Sequence, residues 1–263
     1  MATRTATAAV YGLVLLGVIL FGRTLGLAAL VAALGVMAGI EFFAITRREL
    51  GTPNEFFGLL AIAGMPFATA VWGRLGLLGA LTALILAALV WHVLFRQVRS
   101  ADTATTVFGV TYIGFALSHL VLLRDLDWGA ELVLAAVVSV WANDVFAYLV
   151  GSTVGRHKMA PGISPNKSWE GFVAGTLGTV AVWIVVWATA GAGLTLGWAL
   201  GIGVAVAFAS VAGDLFESRL KREGGVKDSG TLLPGHGGFL DRIDSLILVG
   251  VVAYYLLLMG GAR

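Results

Sequence analysis

Nine stretches of this chain, at about 8–22, 25–46, 56–73, 75–95, 105–123, 130–150, 171–190, 194–212 and 240–259, are apolar over most of their length. Each approximates the run of roughly 20 apolar residues that a helix needs to cross a bilayer. That pattern predicts an all-α integral membrane protein, a polytopic bundle of about nine helices read as a single domain over 1–263 with a polar site facing the cytoplasm. Composition agrees. Only 12% of the 263 residues are charged and the mean hydropathy is +0.93, whereas a soluble domain carries roughly 25% charged residues. The intervals at Arg23 and at Gly73-Arg74 are too short for anything but tight turns, so each flanking pair reads as a helical hairpin. The 36 glycines are spread through the apolar runs, as expected where helix backbones approach closely in a membrane. The opening MATRTATAAV leads into apolar sequence without a small-residue cleavage site, and reads as a retained first span.

The cations fix an expected orientation. With nine spans, the N-terminus and the intervals near 47–55, 96–104, 151–170 and 213–239 share one side, which collects thirteen Lys and Arg against four (Arg23, Arg74, Arg124 and Arg263) on the other. The positive-inside bias makes that side cytoplasmic. Without the last two intervals the ratio is five to four, so much of the bias belongs to a prospective site. A net charge of +2 is too small to suggest nucleic acid, and the absence of cysteine excludes disulfides and thiolate metal ligands.

Two polar intervals hold the chemistry. Residues 213–245 contain six carboxylates and five cations. Asp241 and Asp244 stand three apart at the head of the last apolar run, on one helix face, and Asp214 closes the run before it. Three aspartates offer the hard oxygen ligands that suit Mg²⁺. Lys221, Arg222 and Lys227 supply phosphate-neutralising charge, and Pro234-Gly-His236-Gly237-Gly238 forms a turn able to cradle anionic oxygens. The plainer reading has Asp241 capping a helix, Asp244 pairing with a neighbour, and the basic run solvated.

The second interval, 151–170, groups Arg156, His157 and Lys158 between breaks at Pro161 and Pro165. Ser164-Pro165 reads as an N-cap and first helical residue, which would place Lys167 in the first turn of the seventh span beside free amides, a good phosphate site. The same loop could equally fix topology or hold anionic headgroups. Within the apolar runs, Glu41, His92 and His119 are either functional or paired between helices, and Asp144 sits near a span end where a carboxylate faces a bundle interior or a pocket.

Together these residues carry a resemblance. The order Ser218-x-x-Lys221-Arg222, Lys227-Asp228, Pro234-Gly-His-Gly-Gly238 and Asp241-Arg242-x-Asp244, spread over 27 residues, resembles the signature of phosphatidate cytidylyltransferases, also called CDP-diacylglycerol synthases. Ser164-Pro-Asn166-Lys167-Ser-Trp-Glu170-Gly171 is similar to that family's S-P-x-K-[ST]-W-E-G element. The resemblance spans 141–245 and is weak over the N-terminal half; residues 126–263 are taken as the catalytic helices and loops and 1–125 as the N-terminal helices. One departure stands at Asp144-Val-Phe146-Ala147-Tyr148, where members commonly read D-x-G-A-Y.

The resemblance implies transfer of CMP from CTP to phosphatidic acid, giving CDP-diacylglycerol and pyrophosphate. The topology puts the site at the cytoplasmic face, and the Arg-rich, Lys-poor usage (thirteen Arg to four Lys) points to a GC-rich bacterial genome and so to an inner membrane. The resemblance also implies Mg²⁺ held by Asp214, Asp241 and Asp244, a second cation such as K⁺, and a homodimer among membrane lipids. Asp214, Asp241, Asp244 and Lys167 are then the expected catalytic residues. Ser164, Asn166, Lys221, Arg222, Lys227, Asp228, His236, Gly237, Gly238, Arg242 and Asp144 are expected to line the substrates. A CTP-dependent prenyl-lipid enzyme, such as a CDP-archaeol synthase or polyprenol kinase, is the nearest alternative. A transporter fits less well, because it would place polar residues near the midplane.

Overall fold

The computed structural model describes residues 12, 14–49, 52–190, 193–230 and 238–261. Among the described residues the regular structure is helical, apart from one short hairpin of strands. Among the described residues, seven helices are long and apolar enough to cross a membrane. A count of nine is not established, because the described part of the first expected span is too short to cross a membrane and two others run together in one helix.

The chain forms two compact units. The first comprises 1–125 with 223–243, and the second 126–222 with 244–263. In the first, helical residues 14–21 (α1) are followed by α2 (Arg23–Glu49), α3 (Glu55–Leu94), α4 (Ser100–Gly109), a π-helical turn (Val110–Phe115) and α5 (Ala116–Arg124). The expected break at Arg23 is real: Gly22 bends and Arg23 takes φ +50°. Helix α3, 40 residues long, would measure about 60 Å if straight, twice a bilayer's hydrocarbon core. Gly73 (φ +57°, ψ −138°) interrupts it, and Gly76 comes back against the Ala68 carbonyl. The two expected spans are therefore distinct helices joined at a glycine that can adopt the left-handed region. Phe42 and Phe43 are fully buried, with Gly109 under one ring and Gly58 under the other.

The first unit also accounts for both intramembrane histidines. His92 Nδ1 meets Thr103 Oγ1 at 3.0 Å, pairing the end of α3 with α4. His119 is buried, and its Nδ1 lies 3.0 Å from the Phe115 carbonyl of its own helix.

The second unit contains α6 (Gly129–Val154), β1 (Lys158–Ala160), β2 (Ser164–Ser168), α7 (Trp169–Thr189), α8 (Leu196–Glu223) and the part of α9 (Leu240–Met259) that follows Ile243. Helices α6 and α7 pack antiparallel along a glycine stripe: Gly171 meets the Ala147 carbonyl and Gly175 the Asn143 carbonyl. Thr179 Oγ1 bonds Ser139 O at 3.4 Å further along. Gly203 receives Val180 between α7 and α8, and Gly213 abuts the backbone of Asp244 and Ser245 between α8 and α9. Ser245 Oγ donates to Ser210 O at 2.9 Å beside that contact.

Two local expectations are corrected. Ser164-Pro165 does not start a helix; it opens β2, which pairs antiparallel with β1. Helix α7 begins at Trp169 behind Ser168, whose hydroxyl accepts the Gly171 amide at 3.2 Å. Proline tolerates the edge of a two-stranded ribbon, and the serine nearer the apolar run makes the cap. Likewise Asp214 through Glu223 is not loop but the end of α8. Nothing in that run breaks a helix until Gly224-Gly225, where Gly225 takes φ +67°.

Candidate active site

A cavity of about 510 Å³ opens in the second unit, lined by Asp144 and Tyr148 of α6, Lys158 and Asn166-Lys167 of the hairpin, and Asp214 of α8. The hairpin is what brings Lys167 there. Pairing Lys158 with Ser168 and bonding Trp169 N–H to His157 O at 2.9 Å holds β2 against the start of α7. The Glu170 carboxylate accepts His157 Nδ1 at 2.7 Å and so ties the far side of the ribbon. Lys167 therefore stands one residue before the cap, not within the first helical turn. Its ammonium points at α8 and meets Asp214 Oδ2 at 2.7 Å.

Asp214 is held from two sides, since Ser218, one turn on, donates its hydroxyl to Oδ1 at 3.2 Å. Both groups of this bridge keep access to solvent, Lys167 with 23% and Asp214 with 33% of the side chain exposed. Asp144 and Asp244 complete the cluster. Each lies near enough to Asp214 for the carboxylates to repel, and near enough to Lys167 to be attracted. Asp244 is 9% exposed at the α8–α9 contact, while Asp144 is open to the cavity. Three carboxylates thus share one ammonium, an excess of negative charge that a cation would offset.

Phe146 does not disturb this arrangement. Helix α6 runs unbroken through it, and its ring occupies the space over Gly178 of α7. A glycine opposite makes room for the side chain found where relatives of the motif carry glycine.

The structure brings Asp144, Lys167, Asn166, Asp214 and Asp244 together in the second unit, and distributes the other expected residues elsewhere. Ser164 starts β2. Lys221 pairs within α8 with Glu217, Nζ to Oε2 at 2.6 Å, and is 12% exposed. Arg222, Lys227, Asp228 and Arg242 are exposed. His236 and Gly237 lie outside the described residues. Asp241 has a different environment from Asp244. Its Oδ2 accepts the Ser229 amide at 3.2 Å, the Ser229 hydroxyl at 2.9 Å and the Gly238 amide at 2.9 Å, all within the first unit.

Two residues of the cavity wall were not singled out from sequence as site residues. Lys158 and Tyr148 line the cavity, and position alone does not distinguish them from surface groups. In the first unit Glu41, left open between a functional and a paired role, is buried at 3% exposure. Its carboxylate accepts the Ser229 hydroxyl at 2.8 Å and the amides of Phe239 and Leu240 at 3.0 and 2.9 Å. An acid inside an apolar run was the visible signal; its partner, 188 residues away, was not.

Among the described residues, no three His, Asp or Glu side chains converge closely enough to enclose a metal ion as they stand. That does not exclude Mg²⁺, which keeps much of its hydration and binds through one or two carboxylates plus substrate phosphates. The hard oxygen donors and the surplus negative charge fit such an ion.

The sequence matches the model of the cytidylyltransferase family over residues 2–259. It is 34% identical over 252 residues to a phosphatidate cytidylyltransferase of Staphylococcus haemolyticus, covering 95% of this chain and 96% of that one. The phosphatidate cytidylyltransferase of Bacillus subtilis is 32% identical over 263 residues, with 98% and 97% covered. A chloroplastic relative from Arabidopsis thaliana, phosphatidate cytidylyltransferase 4, is 36% identical over 214 residues, which span 72% of this chain and 54% of the plant protein.

Proposed function

This chain belongs to the cytidylyltransferase family, and on that premise we propose that it transfers CMP from CTP to phosphatidic acid, releasing pyrophosphate and CDP-diacylglycerol for phospholipid synthesis. A phosphate oxygen of phosphatidic acid attacks the α-phosphorus of CTP, a new P–O bond forms, and the bond to the β-phosphate oxygen breaks. The observation that carries the reading is the Lys167–Asp214 bridge inside a carboxylate-rich cavity that remains open to solvent.

Both reactants are anions, so the residues have to counter repulsion before any bond changes. Lys167, in a bridge that is partly exposed, can exchange Asp214 for a phosphate oxygen. Lys158 and the amide of Asn166 stand on the same wall and can hold further phosphate oxygens. A phosphate monoester is nucleophilic at neutral pH, so positioning and electrostatics suffice without a dedicated base. Asp214 with Asp144 and Asp244 would hold Mg²⁺, which when bound screens the phosphates and stabilises charge on the leaving pyrophosphate. The excess of cations on one side in the sequence supports a cytoplasmic site, and the usage of thirteen Arg to four Lys supports a bacterial inner membrane.

The test is purified protein with labelled CTP, phosphatidic acid and Mg²⁺, scored for pyrophosphate and CDP-lipid. Product is expected with phosphatidic acid and none when Mg²⁺ is chelated. Absence of product with phosphatidic acid, or product only with a prenyl-linked acceptor, would overturn the assignment.

A further inference from the structure

Arg156, His157 and Lys158, grouped as cations in the sequence, receive different surroundings from the fold. Lys158 lines the cavity, whereas His157 is turned to Glu170 at the start of α7. Successive side chains of an extended strand point to opposite faces, so a His157 ring fixed on Glu170 directs the next side chain, Lys158, the other way. An exposed ion pair by itself contributes little, but this connection has several parts. Both Glu170 oxygens lie 3.3 Å from the His157 amide nitrogen, and Oε1 accepts Nδ1 at 2.7 Å. The Trp169 amide donates to the His157 carbonyl at 2.9 Å. His157 is thus held by its N–H, its C=O and its ring, all from two consecutive residues of α7.

The ribbon needs such a tie. A two-stranded hairpin is marginally stable on its own, and β1 has only three residues. Its partner is better anchored. β2 ends in the buried Ser168, which caps α7 and whose hydroxyl a Cβ on Gly155 would strike. Lys167, one residue earlier, is bonded to Asp214. In β1, Lys158 is exposed, Met159 and Ala160 are half-buried, and the register shifts between Lys158 and Ala160. Lys158 pairs with Ser168, directly beside the His157–Glu170 tie, so Glu170 holds β1 at the end where Lys158 stands. The ribbon lies between the spans Gly129–Val154 and Trp169–Thr189, and the reactant it meets is the soluble one, the nucleotide.

We infer that Glu170 is a positioning residue for the transfer reaction: by fixing His157 it sets β1 on β2 and so presents Lys158 to the phosphates of CTP. The inference rests on the proposed function. It is tested with Glu170→Ala, His157→Ala, Lys158→Ala, the double variant of Glu170→Ala with Lys158→Ala, and His157→Asn, whose side-chain amide can replace the Nδ1 donor. KM for CTP, KM for phosphatidic acid and kcat are measured with Mg²⁺ in detergent, together with binding of labelled CTP in the absence of lipid.

Glu170→Ala raises KM for CTP about tenfold while KM for phosphatidic acid and kcat change less than about twofold, the pattern of lost ground-state binding. His157→Ala gives a smaller rise of about threefold, because Glu170 keeps the backbone amide at that position, and His157→Asn returns towards wild type. In the Lys158→Ala background, Glu170→Ala adds less than about twofold, since it acts through that lysine. If Glu170→Ala does not fold, the contrast between His157→Ala and His157→Asn decides alone. An unchanged KM for CTP in Glu170→Ala, equal rises in both KM values, or losses that multiply in the double variant overturns the inference. A wild-type protein that binds CTP but makes no CDP-lipid sinks the proposed function instead, and the CTP affinities of the variants then decide whether Glu170 acts through Lys158. A wild-type protein that binds no CTP overturns both.

Discussion

Around Glu41 the two carboxylate oxygens and Asp241 Oδ2 all accept from neutral donors, the Ser229 hydroxyl and backbone amides. Around Lys167 the pattern is reversed, with an ammonium bonded to Asp214 while Asp144 and Asp244 repel that carboxylate across an open cavity. Buried carboxylates matched to fixed backbone donors make a rigid structure, because no rearrangement improves on it. A partly exposed ion pair within excess negative charge is easily exchanged, since surface pairs contribute little to stability. One assembly is closed by its own donors, and the other leaves its ion pair open to solvent.

Breaking the open assembly should give the largest change, and one confined to activity. Asp214→Asn is expected to cut turnover by roughly 10²–10³-fold, the usual cost of removing a preorganised charged group at the reacting centre. Its melting temperature should stay close to wild type, because the lost bridge to Lys167 is offset by relief of repulsion from Asp144 and Asp244. Thermal unfolding in detergent alongside the transferase assay checks both halves, and a collapse in stability would mean the bridge is structural.

The closed assembly should respond the other way. Gly238→Ala forces a methyl group against Glu41 and the Ser229 hydroxyl, and overpacking of this kind costs about 1–3 kcal/mol of stability. A drop in melting temperature is expected, and an Ala variant as stable as wild type would show that the clasp has slack. The smallest effect tests the scaffold that presents Lys167. Ser168→Ala removes the α7 cap and should cost about 1 kcal/mol, read as a modest fall in denaturation midpoint with a small rise in KM for CTP.

Much of this architecture was legible in the sequence because the bilayer imposes a length and a polarity on each span. Gly129–Val154, Trp169–Thr189 and Leu240–Met259 lie within a few residues of the apolar runs that foretold them, and the reversal at Gly73 followed from a turn too short for any loop. The candidate site was legible to the extent that it is local: Lys167 and Asp214, which the structure pairs, drew notice from the polar intervals that hold them. Local signals also misled. The proline after Ser164 suggested a helix start, but the ribbon pairing with Lys158–Ala160 placed it in a strand and moved the cap to Ser168. The charged end of α8 resembled loop because composition does not reveal that a helix continues until a glycine stops it.

Sequence alone determined that the chain is a membrane-spanning helical protein with a phosphate-handling polar region, and its ordered motif pointed to the family. Only tertiary structure decided which carboxylates share an environment. Asp241 and Asp244 stand three residues apart on one helix, yet Asp241 accepts bonds from Ser229 and Gly238 while Asp244 interacts with Asp214 and Asp144. Helical spacing specifies the direction of a side chain relative to its own axis, but its partners depend on which backbone packs against that turn. The same reason hid the role of Glu41, whose charge is visible at position 41 but whose donors lie at 229, 239 and 240.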